Sequence, residues 1–107
     1  MTRTALAVCL FVAGAAACAE TPIRSAEFTC ERNASIPATY VGQGADAVVV
    51  LVVDGRQVGL RVTRSGSGVR FADPDGGYVW HEKGPSAVLI WEEEGSTQTI
   101  FADCKSG

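Results

Sequence analysis

The chain has 107 residues, 47% of them hydrophobic and 20% charged, with nine Lys/Arg against twelve Asp/Glu for a formal net charge of −3. This length accommodates one small domain whose hydrophobic core is only marginally sufficient by itself. The acidic balance argues against nucleic acid and suits a basic protein partner.

In chain order, MTRTALAVCLFVAGAAACAE comes first: a positive charge at Arg3, an apolar run from Ala5 to about Ala17, then small residues. That order predicts a secretory signal. The run is too short to span a bilayer as a permanent helix. Two cleavage patterns overlap at its end. Ala15-Ala16-Ala17-Cys18 has the small-small-Cys ending of a bacterial lipoprotein signal, without the usual Leu three residues before the cysteine; cleavage there removes residues 1–17 and leaves Cys18 to be lipidated. Ala17-Cys18-Ala19 satisfies the A-x-A pattern, and cleavage after residue 19 leaves a soluble chain.

Of the four cysteines, Cys9 lies in the signal core and Cys18 is lipidated or discarded. Cys30 and Cys104 remain, near the two ends of the mature domain in an oxidising compartment, and are expected to form a structural disulfide. On the chain-entropy model, closing a loop of about 75 residues stabilises by about 4 kcal/mol. Loss of Arg3 with the signal leaves eight basic against twelve acidic residues, a net of −4.

Residues 20–25 read as a short tether and residues 26–107 as one domain. Within it, short strands alternate with turn signals and no stretch has a helical apolar period. The expected strands are Ala26 to Cys30, Ala38 to Val41, Ala47 to Val53, Gln57 to Thr63, Gly68 to Ala72, Tyr78 to Glu82, Ala87 to Glu92 and Thr97 to Asp103. Eight strands at this spacing predict an all-β antiparallel sandwich or barrel. Asp54-Gly55 is a two-residue hairpin signal, and Glu94-Gly95-Ser96 supplies glycine where a positive φ is needed. Val58, Leu60 and Val62 alternate with polar or small residues, as do Ala87, Leu89 and Trp91. The run AVVVLVV does not alternate, which predicts burial on both faces or beneath a loop.

The stretch RSGSGVRFADPDGGYVWHEKG, residues 64–84, carries the most chemistry. Taking Asp73-Pro74-Asp75-Gly76-Gly77 as a three-residue hairpin loop, with Pro74 setting a type I turn and Gly76 the following bulge, pairs Phe71 with Val79, Val69 with His81 and Ser67 with Lys83. Side chains directly opposite in an antiparallel pair stand roughly 5 Å apart on one face. A hydroxyl and an ammonium therefore project together from the open end of one hairpin, left unshielded by Gly66, Gly68 and Gly84.

On these residues the chain resembles the MliC/PliC family, bacterial inhibitors of c-type lysozyme. The first family motif, S-G-x-x-Y, corresponds to Ser67-Gly68-Val69-Arg70-Phe71; the second, an aromatic residue followed shortly by Lys-Gly, corresponds to Tyr78 through Lys83-Gly84. The half-cystines in EFTC and FADC match the terminal disulfide of the family. The resemblance implies a small eight-stranded antiparallel β-barrel closed by Cys30–Cys104, with a loop that enters the lysozyme cleft. It implies that Ser67 bonds near the catalytic carboxylates and that Lys83 pairs with one of them. Ser67, Gly68, Phe71, Tyr78, Lys83 and Gly84 are the lysozyme-binding candidates. It also implies a bacterial periplasmic location, with outer-membrane anchoring if Cys18 is lipidated. Phe71 departs from the usual Tyr, removing any bond from that phenol. Ser65 lies on the same face as Ser67 but does not fit the motif spacing. Glu82 adjoins Lys83, yet neighbours along a strand point to opposite faces and need not neutralise one another.

Other chemistry is disfavoured. Asp73 and Asp75 begin like a calcium loop, but the remaining ligands and the bidentate Glu are missing from the pattern. His81 is the only histidine, which makes a zinc site improbable. SGSG is not a G-x-S-x-G elbow. No enzyme, cofactor or metal is expected. Two other readings stay open: an envelope barrel binding a small apolar ligand, and a structural envelope lipoprotein without lysozyme affinity.

Overall fold

The computed structural model describes residues 21–106; the expected signal segment and Cys18 lie outside the described residues. Eight antiparallel strands follow one another around a closed up-and-down barrel, each beside its neighbour in the chain. They are β1 Ile23–Thr29, β2 Ser35–Val41, β3 Val48–Val53, β4 Arg56–Thr63, β5 Val69–Ala72, β6 Gly77–Lys83, β7 Ser86–Glu93 and β8 Ser96–Ser106. All eight expected strands are present. Short connections enforce the antiparallel order. Val53 pairs with Arg56 across Asp54-Gly55, and Glu93 with Ser96 across Glu94-Gly95. At Asp54-Gly55 both φ values are positive, the conformation of a two-residue type I′ turn.

Inward positions alternate as the pleat requires. Ile36, Ala38 and Tyr40 of β2, Val49, Leu51 and Val53 of β3, Leu60 of β4, Phe71 of β5, Trp80 of β6 and Ala87 and Leu89 of β7 form one buried cluster. Trp80 is fully inaccessible, and Phe28 meets its indole edge-to-face with ring centroids 5.0 Å apart. These side chains fill a barrel of this strand number, which has room for side chains or one small ligand.

The sequence-based expectations require correction at three places. In β3 the burial alternates: Val49, Leu51 and Val53 are buried while Val48, Val50 and Val52 are half-buried. A barrel has no second layer outside it, so the outward valines are covered only by neighbours such as Thr39 and Gly59, which pair with Val50. Ile23 to Ser25, expected as tether, belong to β1 and pair with Thr39 to Val41. The guanidinium of Arg24 lies over the Tyr40 ring, 4.2 Å from its centroid, which favours docking that segment.

The third correction concerns the β5–β6 register. Phe71 pairs with Trp80 and Val69 with Glu82, one residue away from the expected pairing. The loop holds four residues rather than three: Asp73 N donates to Tyr78 O at 3.2 Å and Gly76 N to Asp73 O at 3.0 Å. The Asp73 carboxylate caps the turn by accepting from Asp75 N at 2.9 Å. Gly76 and Gly77 both take positive φ, 87° and 125°, absorbing the extra residue. The physical reason is parity. A one-residue slip exchanges the faces of a strand, and the observed register turns Trp80 inward beside Phe71, whereas the expected one would turn Val79 inward.

Closure is narrowest between β1 and β8, where only Phe28 with Ser106 and Thr29 with Lys105 pair. The Cys30–Cys104 disulfide stands next to these rungs, joining residues 74 apart. Beyond it the chain leaves the ladder in a 3-10 turn, Glu31–Asn33, and the Glu31 carboxylate accepts from Ala102 N at 3.2 Å. Replacing both half-cystines by serine is expected to lower unfolding free energy by about 4 kcal/mol on the chain-entropy estimate. Denaturant unfolding of the oxidised parent and the double variant would measure this.

Candidate functional site

The open end of the β5–β6 hairpin brings together Ser67, Gly68, Lys83 and Gly84. The revised register places Gly68, not Ser67, next beyond the last rung on the side facing Lys83, so the expected Ser67–Lys83 pairing is not formed. Gly68 has φ 71°. A Cβ there would run into the Glu82 carbonyl oxygen and stand 3.1 Å from Lys83 Cγ. Only glycine lets the loop backbone come this close to the end of β6.

The Ser67 backbone is fixed on both sides. Its amide donates to Ser65 Oγ at 3.2 Å, and its carbonyl accepts from Ser65 Oγ at 2.5 Å and from His81 Nε2 at 2.8 Å. His81 pairs with Arg70, one rung behind Val69–Glu82. The loop therefore curls back over the outer wall of the barrel. Ser67 and Lys83 are both exposed. Among the described residues, Ser67 Oγ has no hydrogen bond and Lys83 has no carboxylate partner.

Glu82 turns the other way. Its carboxyl group accepts from Trp80 Nε1 at 2.8 Å and from the Tyr40 hydroxyl, which settles the question of whether it neutralises Lys83. Burial, with the Glu82 bond second, pushes the Tyr40 phenol far above its ordinary range. The phenol thus stays protonated and remains a donor. Arg24, Tyr40, Glu82, Phe71 and Val69 line an open depression of about 370 Å³ at the barrel mouth. Val69 is 43% exposed at its lip, directly after the Ser67-Gly68 loop.

Two of the six candidates are not on this surface. Phe71 is 3% exposed and packs against Tyr40, ring centroids 5.9 Å apart. Tyr78 meets Trp91 edge-to-face at 5.0 Å near the opposite, turn end of β6. Five strand positions separate it from Lys83, roughly 17 Å at the rise of an extended chain. Conversely, the sequence reading missed Ser65 and His81 as loop anchors and Tyr40 as the partner of Glu82. The period-2 spacing of His81 and Lys83, which puts both on the outer face of β6, was the available signal.

A second groove, about 550 Å³, lies at the turn end between Asp73-Pro74 and Glu93 to Thr97. Arg70 and Glu92 form an ion pair at 2.7 Å on its wall. Among the described residues no group of three or more His, Cys, Asp or Glu is placed to hold a metal ion.

A family model described as membrane-bound lysozyme-inhibitor of c-type lysozyme matches residues 28–98. Three solved structures share the fold. PliC-St, periplasmic lysozyme inhibitor of C-type lysozyme from Salmonella typhimurium, is 20% identical over 80% of this chain and 99% of its own, with a TM-score of 0.67. Pseudomonas aeruginosa MliC, in complex with hen egg white lysozyme, is 24% identical over 98% and 100%, TM-score 0.62. The Adhesin Complex Protein from Neisseria meningitidis is 18% identical over 78% and 99%, TM-score 0.57. Comparison with curated proteins finds no significant match.

Gly68→Ala is expected to destabilise the domain by about 1–3 kcal/mol, the usual cost of a strained backbone position, and to break the Ser67–His81 bond. Denaturant unfolding and the amide chemical shifts of Ser67 and Gly68 would measure both effects.

Proposed function

The chain belongs to the family of inhibitors of c-type lysozyme, and from this premise we propose that it blocks the lysozyme cleft with the open end of its β5–β6 hairpin, Ser67 and Lys83 supplying the contacts to the catalytic carboxyl groups. The observation that carries this reading is that Ser67-Gly68 of the first motif and Lys83-Gly84 of the second meet at one barrel end, with an exposed hydroxyl and an exposed ammonium that have no partner among the described residues.

The chemistry suits the target. A retaining glycosidase holds its two carboxyl groups only about 5 Å apart. An ammonium from the end of β6 and a hydroxyl from the loop before β5, presented at the same barrel end, occupy both and exclude substrate. Charge-assisted hydrogen bonds gain strength where water is expelled, and the net acidity of the mature chain favours approach to a basic enzyme. Direct contact is assigned to Ser67, Gly68, Lys83 and Gly84. Phe71 contributes by packing under the loop, and Tyr78 by holding the far end of β6 against Trp91. This is inhibition by occlusion, with no catalytic step and no cofactor.

The export signal read in residues 1–19 supports a bacterial periplasmic location. Lipidation of Cys18 would anchor the protein to the outer membrane, leaving Ala19 to Pro22 as the link to the barrel. The filled interior gives no support to the small-ligand reading.

The experiment is lysis of a bacterial cell-wall suspension by a c-type lysozyme in the presence of purified residues 20–107, disulfide intact. The parent is expected to inhibit. The double variant Ser67→Ala, Lys83→Ala is expected to remain folded and weaken inhibition roughly thirtyfold or more, since truncating one partner of a buried charged bond costs at least about 2 kcal/mol. A parent inactive at micromolar concentration, or a double variant of undiminished potency, contradicts the reading.

A further inference from the structure

We propose that His81, assisted by Ser65, is a positioning residue that presets the Ser67 loop for binding, an inference that rests on the inhibitory reading of the same barrel end.

The β5–β6 ladder ends at Val69–Glu82. Arg64 to Gly68 lie beyond it, with glycine at positions 66 and 68, and all five are exposed. Such a segment has many conformations to lose on binding, and each ordered residue costs affinity. The structure supplies a cross-link where the ladder stops. His81 Nε2 lies 2.8 Å from the Ser67 carbonyl oxygen and 3.4 Å from Ser65 Oγ. A carbonyl only accepts, so Nε2 carries the proton, which both the neutral Nε2–H tautomer and the imidazolium provide. Ser65 adds a second donor to the same oxygen and takes the Ser67 amide in return.

The cross-link also sets a spacing. His81 and Lys83 stand two residues apart on the same outward face of β6, roughly 7 Å along the strand. Tying the Ser67 backbone to His81 therefore fixes the serine relative to the lysine, a task the ladder cannot perform because Gly68, not Ser67, stands next to Lys83. Ser67 keeps its own hydroxyl free, since only its backbone groups are used. His81 touches no substrate group in this account; it acts through Ser67.

The test compares the parent with His81→Ala, His81→Gln and Ser65→Ala in two measurements: the 15N relaxation of the Ser67 and Gly68 amides in the free protein, and the inhibition constant against a c-type lysozyme. Thermal melts verify folding. His81→Ala is expected to make both amides mobile on the nanosecond scale and to weaken inhibition about tenfold, of the order gained by preorganisation of a few side chains. His81→Gln, whose side-chain amide restores a donor, is expected to recover both. Ser65→Ala is expected to give a smaller change in the same direction. Unchanged loop relaxation in His81→Ala overturns the inference, as does a mobile loop with undiminished potency or a Gln variant that behaves like Ala. Failure of the inhibitory reading is seen separately, in a parent that does not inhibit, and it removes the role assigned to the loop as well.

Discussion

Trp80 is the largest side chain to lie wholly inside the barrel, and β6 can bury it only by turning every second residue inward with it. Burial of an aromatic of this size is worth several kcal/mol, more than any turn preference can oppose. Tyr78 and Glu82 therefore share the inner face, and Gly77, Val79, His81 and Lys83 take the outer one. The indole N–H needs a partner, and Glu82 two residues on provides it. Tyr40, reaching from β2, completes a polar group at the mouth whose members satisfy one another. Because the inner face claims Glu82, the ammonium of Lys83 is left on the far side of the strand from the nearest carboxyl group in sequence.

Closure of the barrel rests on a second constraint. Two rungs between β1 and β8 are a weak seam, and the disulfide stands beside them. A domain of this size has a core that is barely sufficient, so a covalent link between strands near the two chain ends offsets what the short seam lacks. The hairpin end that carries Ser67 and Lys83 is thereby part of a closed wall rather than the tip of a free ribbon, and the five residues before Val69 lie beyond its last β5–β6 rung.

Most strands were legible because they are short segments bounded by turn residues such as Gly, Pro, Asn or Asp, several of them apolar-alternating, and because such signals are local. The two-residue turn at Asp54-Gly55 was legible for the same reason. Register was not. Asp73-Pro74-Asp75-Gly76-Gly77 is compatible with a three- or a four-residue loop, and the choice depends on whether Val79 or Trp80 faces the core, a tertiary question. The valine run of β3 misled because an unbroken apolar stretch reads as doubly buried, whereas a closed single-layer barrel leaves its outer face half-covered. Ile23 to Ser25 looked like a tether because their docking depends on Arg24 meeting Tyr40, sixteen residues away. Of the candidate site, Ser67, Gly68, Lys83 and Gly84 are pointed to by the two motifs, and the structure gathers them at one end; Phe71 and Tyr78 belong to the same two motifs but serve the core and the opposite end. His81 and Ser65 escaped because their role lies in a backbone contact: period-2 spacing places His81 on the outer face with Lys83 but does not say which carbonyl it meets.

The central claim is that the barrel meets its enzyme with one end only. The most direct measurement is a 15N-labelled titration with unlabelled c-type lysozyme, following the amide signals of both ends of the β5–β6 hairpin. The account predicts that Ser65 to Val69 and Glu82 to Gly84 shift or broaden on complex formation while Asp73 to Tyr78 and Glu94 to Thr97 at the turn end keep their positions. Perturbation centred on the turn end, with Ser67, Gly68 and Lys83 unmoved, would contradict it.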